Sequence, residues 1–168
     1  FTGNEMTGYY AKAEKKHFKK LLEIIADLYL NPTLPATELE KERGVILQEI
    51  SMYEDLPQRK VWNVFAELLY GDTPAGRTIL GPAKNIKKFK REDFEAYRAK
   101  HYTAKKTLVV VAGDVKESDL VKEVEKQFKD IRDTKRLSKD KVSSLQTSPR
   151  LKVFKKKTDQ THLILGFK

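Results

Sequence analysis

The sequence predicts an α+β fold, with a mixed or antiparallel sheet and helices packed on one face. Three observations lead there. Several segments repeat apolar residues at helical spacing and stop at Pro or Gly. Two runs, Leu108–Ala112 and Thr161–Phe167, are rich in apolar and β-branched residues, as strands are. More than one helical segment falls between successive strands, the order of a layered mixed domain, and no internal repeat is present.

In chain order, Phe1 to about Glu14 contains Gly8-Tyr9-Tyr10-Ala11, aromatic and β-compatible, which predicts a hairpin or a pair of short strands. From His17 to Leu30, Leu21, Leu22, Ile24, Ile25, Leu28 and Tyr29 cover most of a helix circumference. A helix packed on more than one side is expected, stopped by Asn31-Pro32. The next helix runs from Glu38 to Asp55, with apolar residues returning at Leu39, Ile46, Ile50 and Tyr53. Thr37 and Glu40 offer it a capping box, and Leu56-Pro57 closes it. Pro57 opens a third helix carrying Val61, Trp62, Phe65, Leu68 and Leu69, and Gly71 ends it. The loop Asp72–Pro82 is rich in Gly and Pro. Its spacing fits neither phosphate-binding glycine pattern, and no strand precedes it, which excludes a phosphate loop.

Arg91–Tyr102 predicts a short helix with Phe94 and Tyr97 inward. Leu108–Asp114 predicts a strand buried on both faces. Ser118 opens a helix striped by Leu120, Val121, Val124, Phe128 and Ile131. Residues 132–150 read as a basic linker, leading to strands at Val153-Phe154 and Thr161–Phe167.

Composition excludes several function classes. With 168 residues the length fits a single domain with a real core. The absence of Cys excludes a disulfide framework and thiolate metal sites. No apolar run approaches membrane-spanning length, and nothing at the start resembles a signal peptide. The first residues are Phe1-Thr2-Gly3 with no Met, so a fragment is expected and no compartment follows; for a prokaryotic homologue the expectation is cytoplasmic. The net charge of +10 concentrates between Arg132 and Lys157, where ten Lys or Arg face Asp133 and Asp140. A nucleic-acid surface would interleave aromatics, and here Phe154 stands alone, so a solvated linker is the better account. No nucleic-acid and no membrane partner is expected.

The chemistry-bearing residues are few. His17, His101 and His162 have no other His or acid at a recognised ligand spacing, and each reads as structural. No Gly-x-Ser-x-Gly elbow occurs. Glu42 and Glu49 lie seven residues apart, close to two turns, so both project from nearly the same side of the second helix. They border its apolar stripe, as carboxylates facing a cleft would. The plain alternative is a solvated acidic face. Two carboxylates alone do not make a catalytic zinc site, which takes three protein ligands plus a water.

The run from Glu40 to Ile50, containing Glu42, Arg43, Gly44 and Glu49, and the run from Gly71 to Pro82 resemble the insulinase/pitrilysin family. These are zinc metallopeptidases with an inverted H-x-x-E-H motif, and they include the mitochondrial processing peptidases. Phe94 to Asp114, with His101-Tyr102 before the valine run, is similar to the end of that family's first domain. Phe1 to Glu5 with Gly8-Tyr9-Tyr10 resembles the strand after its active-site helix.

The resemblance implies specific roles. In the family, zinc is bound by the two His of the motif and by a distal Glu at the second position of a Glu-x6-Glu pattern, which is Glu49 here. Glu42 corresponds to an accessory acid beside the metal. The substrate peptide adds in extended form to an edge strand that by position includes Phe1, Thr2 and Gly3. The implied partners are a peptide substrate and a second half of a clamshell chamber, present as a homodimer, a heterodimer or a fused chain; some halves are non-catalytic. No H-x-x-E-H occurs in this sequence. The expectation is therefore a domain truncated at both ends: residues 1–131 from the first peptidase domain without its opening strands and active-site helix, 132–150 as linker, and 151–168 as the first strands of a homologous second domain. Its zinc site is expected to be incomplete and the chain inactive alone.

Overall fold

The computed structural model describes residues 1–134, 138–139, 141–142 and 146–167. Contacts divide the chain into two units: Phe1–Thr2, Met6–Ala36 and Lys90–Leu137 in one, Gly3–Glu5, Thr37–Phe89 and Ser138–Lys168 in the other. The linker expected over 132–150 lies in part outside the described residues, as does Lys168.

In the first unit, a 3-10 turn Lys15–His17 leads into α1, Phe18–Leu30. Phe18, Leu21, Leu22, Ile25, Ala26 and Tyr29 form its packed stripe, with Leu22 and Ala26 buried. Ile24 and Leu28 are exposed, so α1 is packed on one side rather than two. Asn31 closes the helix, its backbone N–H donating to Asp27 O at 2.8 Å and its side-chain amide to Asp27 Oδ1 at 3.0 Å. We label the next helices α2 (Ala36–Asp55), α3 (Pro57–Tyr70), α4 (Ala83–Ile86), α5 (Arg91–His101) and α6 (Glu117–Phe128). α6 packs on α1, with Leu120, Val124 and Phe128 half-buried and the Phe128 ring 6.0 Å from that of Tyr29. Its buried Glu123 accepts a hydrogen bond from Gln127 Nε2 at 2.8 Å. α5 starts where the Asp93 side chain accepts the Lys90 N–H at 2.8 Å. Its Arg98 donates to the carbonyl of Tyr29, one of the unsatisfied acceptors at the end of α1, and lies 4.4 Å over the Tyr102 ring. Tyr97, expected inward, is exposed and stacks on His101 at 4.3 Å.

In the second unit, α3 begins at Pro57 and ends at Gly71, whose φ of +63° continues the chain where a side chain would be strained. α2 starts at Ala36, so Thr37 falls inside its first turn and does not serve as the expected cap. At its far end Lys156 replaces a cap, donating to Glu54 O at 2.8 Å and to Asp55 Oδ1 at 2.7 Å. Lys152 pairs with Glu67 at 2.7 Å, and Lys60 Nζ lies 4.9 Å from the Phe154 ring centroid. Residues 152, 154 and 156 thus face the helices while Leu151 and Val153 face out, the period of two of an extended chain. His162 and Ile164 repeat the pattern, with Leu163 83% exposed beside them.

The sheet expected from the sequence is overturned. Among the described residues there is no strand, only an isolated antiparallel bridge between Thr2 and Thr7 in place of the expected hairpin. A strand exists only when another backbone accepts and donates its hydrogen bonds. Among the described residues the backbones of 108–112 and 151–167 find no backbone partner. Leu108 is 84% exposed, so its run is not buried on both faces either. These segments are apolar as strands are, but among the described residues they are unpaired. No helix among the described residues is long and apolar enough to cross a membrane.

Candidate functional site

α2 packs through one arc and leaves the adjoining arc open. Leu39, Arg43, Ile46, Leu47, Ile50 and Tyr53 are half-buried along one face. At about 100° per residue, Glu42, Val45, Glu49 and Met52 occupy the neighbouring arc, about 80° wide. Glu42 is exposed and Glu49 half-buried; between and beyond them Val45 is 55% and Met52 50% exposed. The two carboxylates project about 20° apart around the axis and about 10 Å apart along it.

Charge pairing separates these two acids from the rest of the helix. Glu38 binds Lys41 at 2.7 Å, Glu40 binds Arg43 at 2.8 Å, Glu54 binds Lys60 at 2.5 Å and Asp55 binds Lys156 at 2.7 Å. Among the described residues Glu42 and Glu49 are the acids of α2 that accept no hydrogen bond and form no ion pair. Both remain available as oxygen donors, on a face where apolar side chains also lack cover.

Arg43 was not singled out from the sequence. Its side chain is only 19% exposed. The guanidinium donates to the carbonyls of Ile86 and Phe89, the latter at 2.7 Å, and to both oxygens of Glu40. The hydrogen bond to Arg43 holds the Glu40 carboxyl below the usual carboxylate range, and Arg43 is raised in turn. The one sequence signal was Glu40 three residues before Arg43; the carbonyls more than forty residues away left no trace in the local pattern.

Of the expected substrate-strand residues, Gly3 falls in the unit that carries Glu42 and Glu49. Phe1 and Thr2 belong to the other unit, where Phe1 O accepts the Gly8 N–H at 2.9 Å and the Phe1 ammonium donates to Gly8 O at 2.9 Å. The two histidines at helix ends, His17 and His101, belong to that unit, whereas His162 lies along α3. Among the described residues no three His, Asp or Glu side chains gather into a metal-binding group. Two crevices, of about 370 Å³ and 180 Å³, lie along α3 and are lined by neither Glu42 nor Glu49.

Residues 1–83 match the family model described as insulinase (peptidase family M16), and residues 88–168 match the one described as peptidase M16 inactive domain. An uncharacterized zinc protease, YmxG, of Bacillus subtilis (strain 168) is 34% identical over 172 residues, covering 100% of this chain and 40% of that protein. The mitochondrial-processing peptidase subunit beta of Homo sapiens is 40% identical over 121 residues, 72% of this chain and 25% of that one. Among solved structures, a protease from Helicobacter pylori matches with a TM-score of 0.69 at 20% identity, over 79% of this chain and 32% of that one. The peptidase M16 inactive domain from Pseudomonas fluorescens also matches at 0.69, with 22% identity, over 77% and 31%. The chain spans at most about 40% of the length of these relatives. Two models of one peptidase family account for nearly every residue, and the chain belongs to the insulinase family, peptidase family M16.

Proposed function

We propose that the chain is part of a zinc metalloendopeptidase that hydrolyses peptides or presequences inside a clamshell chamber, with Glu49 as the distal zinc ligand and Glu42 as an accessory acid. The observation that carries this is the pair of unpartnered carboxylates on the open arc of α2, where every other acid of the helix is neutralised. The names of the relatives as zinc proteases and a processing peptidase support it.

The donor chemistry fits in part. A half-buried carboxylate without a competing cation is a good hard ligand for zinc, and a second acid close by can orient a neighbouring ligand. Glu49 would supply one ligand; the described residues do not supply a complete set. Bound zinc contributes Lewis acidity toward the scissile carbonyl. The contribution of this chain is to hold a carboxylate on a rigid helix and to leave apolar cover around it for a second element. The partner is the other half of the chamber, and Phe1, Thr2 and Gly3 would meet the substrate backbone.

The test is the open reading frame around this segment. An H-x-x-E-H motif roughly 70–80 residues before Glu49 is expected, and its absence would overturn the assignment. A non-catalytic chamber half is the second possibility; the match of residues 88–168 to a model described as an inactive domain fits either reading, since the same residues align with a relative named a zinc protease, and the retained Glu42 and Glu49 argue against the non-catalytic one. Zinc content and peptide hydrolysis of the full-length protein separate the two: both are expected for the peptidase, neither for the non-catalytic half.

A further inference from the structure

We infer that Arg43 is a positioning residue, fixing the roll of α2 so that Glu42 and Glu49 keep one orientation. This role rests on the assignment of the two acids to the metal site.

Arg43 lies on the flank of α2 opposite the open arc, about 100° around from Glu42. It is a charged side chain held mostly away from solvent, and the groups it binds explain why. Nε donates to Glu40 Oε2 at 3.0 Å, one terminal nitrogen donates to Ile86 O, and the other donates to Glu40 Oε1 at 2.8 Å and to Phe89 O at 2.7 Å. Ile86 is the last residue of α4, so its carbonyl is one of the acceptors a helix end leaves open. The contact therefore ties α2 to the segment after α4 at two carbonyls, within one unit. Two anchoring points on one planar group resist rotation of the helix, whereas a single point allows it to pivot. Lysine offers a point charge and spans no such pair.

The geometry makes roll consequential. At a side-chain radius of about 5–6 Å, a roll of about 20° moves a carboxylate by roughly 2 Å. A preorganised site tolerates about 0.5 Å. The apolar stripe of α2 limits gross movement, but Val45 and Met52 on the open arc are about half exposed and so restrain it less. Arg98 supplies a natural control: it closes the end of α1 on a carbonyl in the same manner, yet it belongs to the unit that does not carry α2.

The experiment uses the full-length protein and four variants: Arg43→Lys, Glu40→Gln, Arg98→Lys and Glu49→Gln. Zinc dissociation constants are measured by competition with a chromophoric chelator, and the visible absorption of the Co(II)-substituted protein reports ligand geometry. Arg43→Lys is expected to weaken zinc at least tenfold and to change the cobalt bands, with far-ultraviolet circular dichroism unchanged. Glu40→Gln, a change at an exposed carboxylate, is expected to act in the same direction by a smaller factor, and it decides the matter if Arg43→Lys fails to fold. Arg98→Lys is expected to leave both metal readouts at wild type. If Glu49→Gln abolishes tight zinc binding while Arg43→Lys and Glu40→Gln match wild type, the positioning role is overturned and the ligand assignment stands. Unchanged zinc affinity in Glu49→Gln would overturn the ligand assignment itself.

Discussion

A Cβ on Gly166 would fall 2.3 Å from Cζ of Phe65 and 2.9 Å from its Cε2, so the extended chain crosses α3 where the ring leaves room only for a glycine. Gly166→Ala should push the ring aside or lift the segment from α3, at a cost of about 1–3 kcal/mol as for other overpacked sites. Phe65→Leu in the same background should recover part of that loss. Additive effects in urea unfolding of the two single variants and the double variant would show that the contact is absent.

Arg98 closes the end of α1 and stacks on Tyr102, whose hydroxyl burial pushes up to about 12. Arg98→Ala removes a charged hydrogen bond worth about 1.5–3 kcal/mol and a cation–π contact worth about 0.5–1 kcal/mol. A drop in unfolding free energy of about 2–4 kcal/mol is expected from denaturant titration. A change below about 0.5 kcal/mol would place Arg98 among ordinary surface residues.

His101 gives the first unit a pH dependence. Burial, followed by the charges of Lys106 and Lys100, holds its imidazole below the usual value. The unfolded chain therefore takes up this proton at a higher pH than the folded one. The contribution to stability is complete above about pH 6.5, the ordinary histidine value, and declines as the pH falls toward the lower folded value. Unfolding midpoints at pH 7.5 and pH 5.5 should differ more for the wild type than for His101→Gln. Equal differences would exclude His101 as a source of the pH effect.

Glu49 and Glu42 should differ in the full-length protein. Glu49→Gln is expected to cost zinc occupancy, whereas Glu42→Gln should lower turnover while retaining more of the metal. Atomic absorption on the purified variants checks this, and metal content equal to wild type in both would contradict the unequal roles.

Much of the helical framework was legible from local chemistry. Pro57 and Gly71 bound α3 because one fixes φ and the other accepts a positive φ, and neither property depends on distant residues. Periodicity located α1, α2 and α5 to within a residue or two, placed Glu42 and Glu49 on one side of α2, and carried α6 on to Ile131, three residues past its end at Phe128. It also overcounted: Ile24, Leu28 and Tyr97 are apolar or aromatic residues that remain exposed, since hydropathy records what a side chain could bury and not what covers it.

The tertiary structure alone decided the rest. Leu108–Ala112 and Thr161–Phe167 have the composition of strands, but a strand is a relation between two backbones, and among the described residues no second backbone meets them. The pairing that neutralises Glu38, Glu40, Glu54 and Asp55 while leaving Glu42 and Glu49 open depends in part on Lys156, a hundred residues away. The hold of Arg43 on Ile86 and Phe89 is of the same kind. Helices are written in the sequence because their hydrogen bonds close within four residues; sheets and carboxylate availability are not, because they depend on partners that only the folded chain brings near.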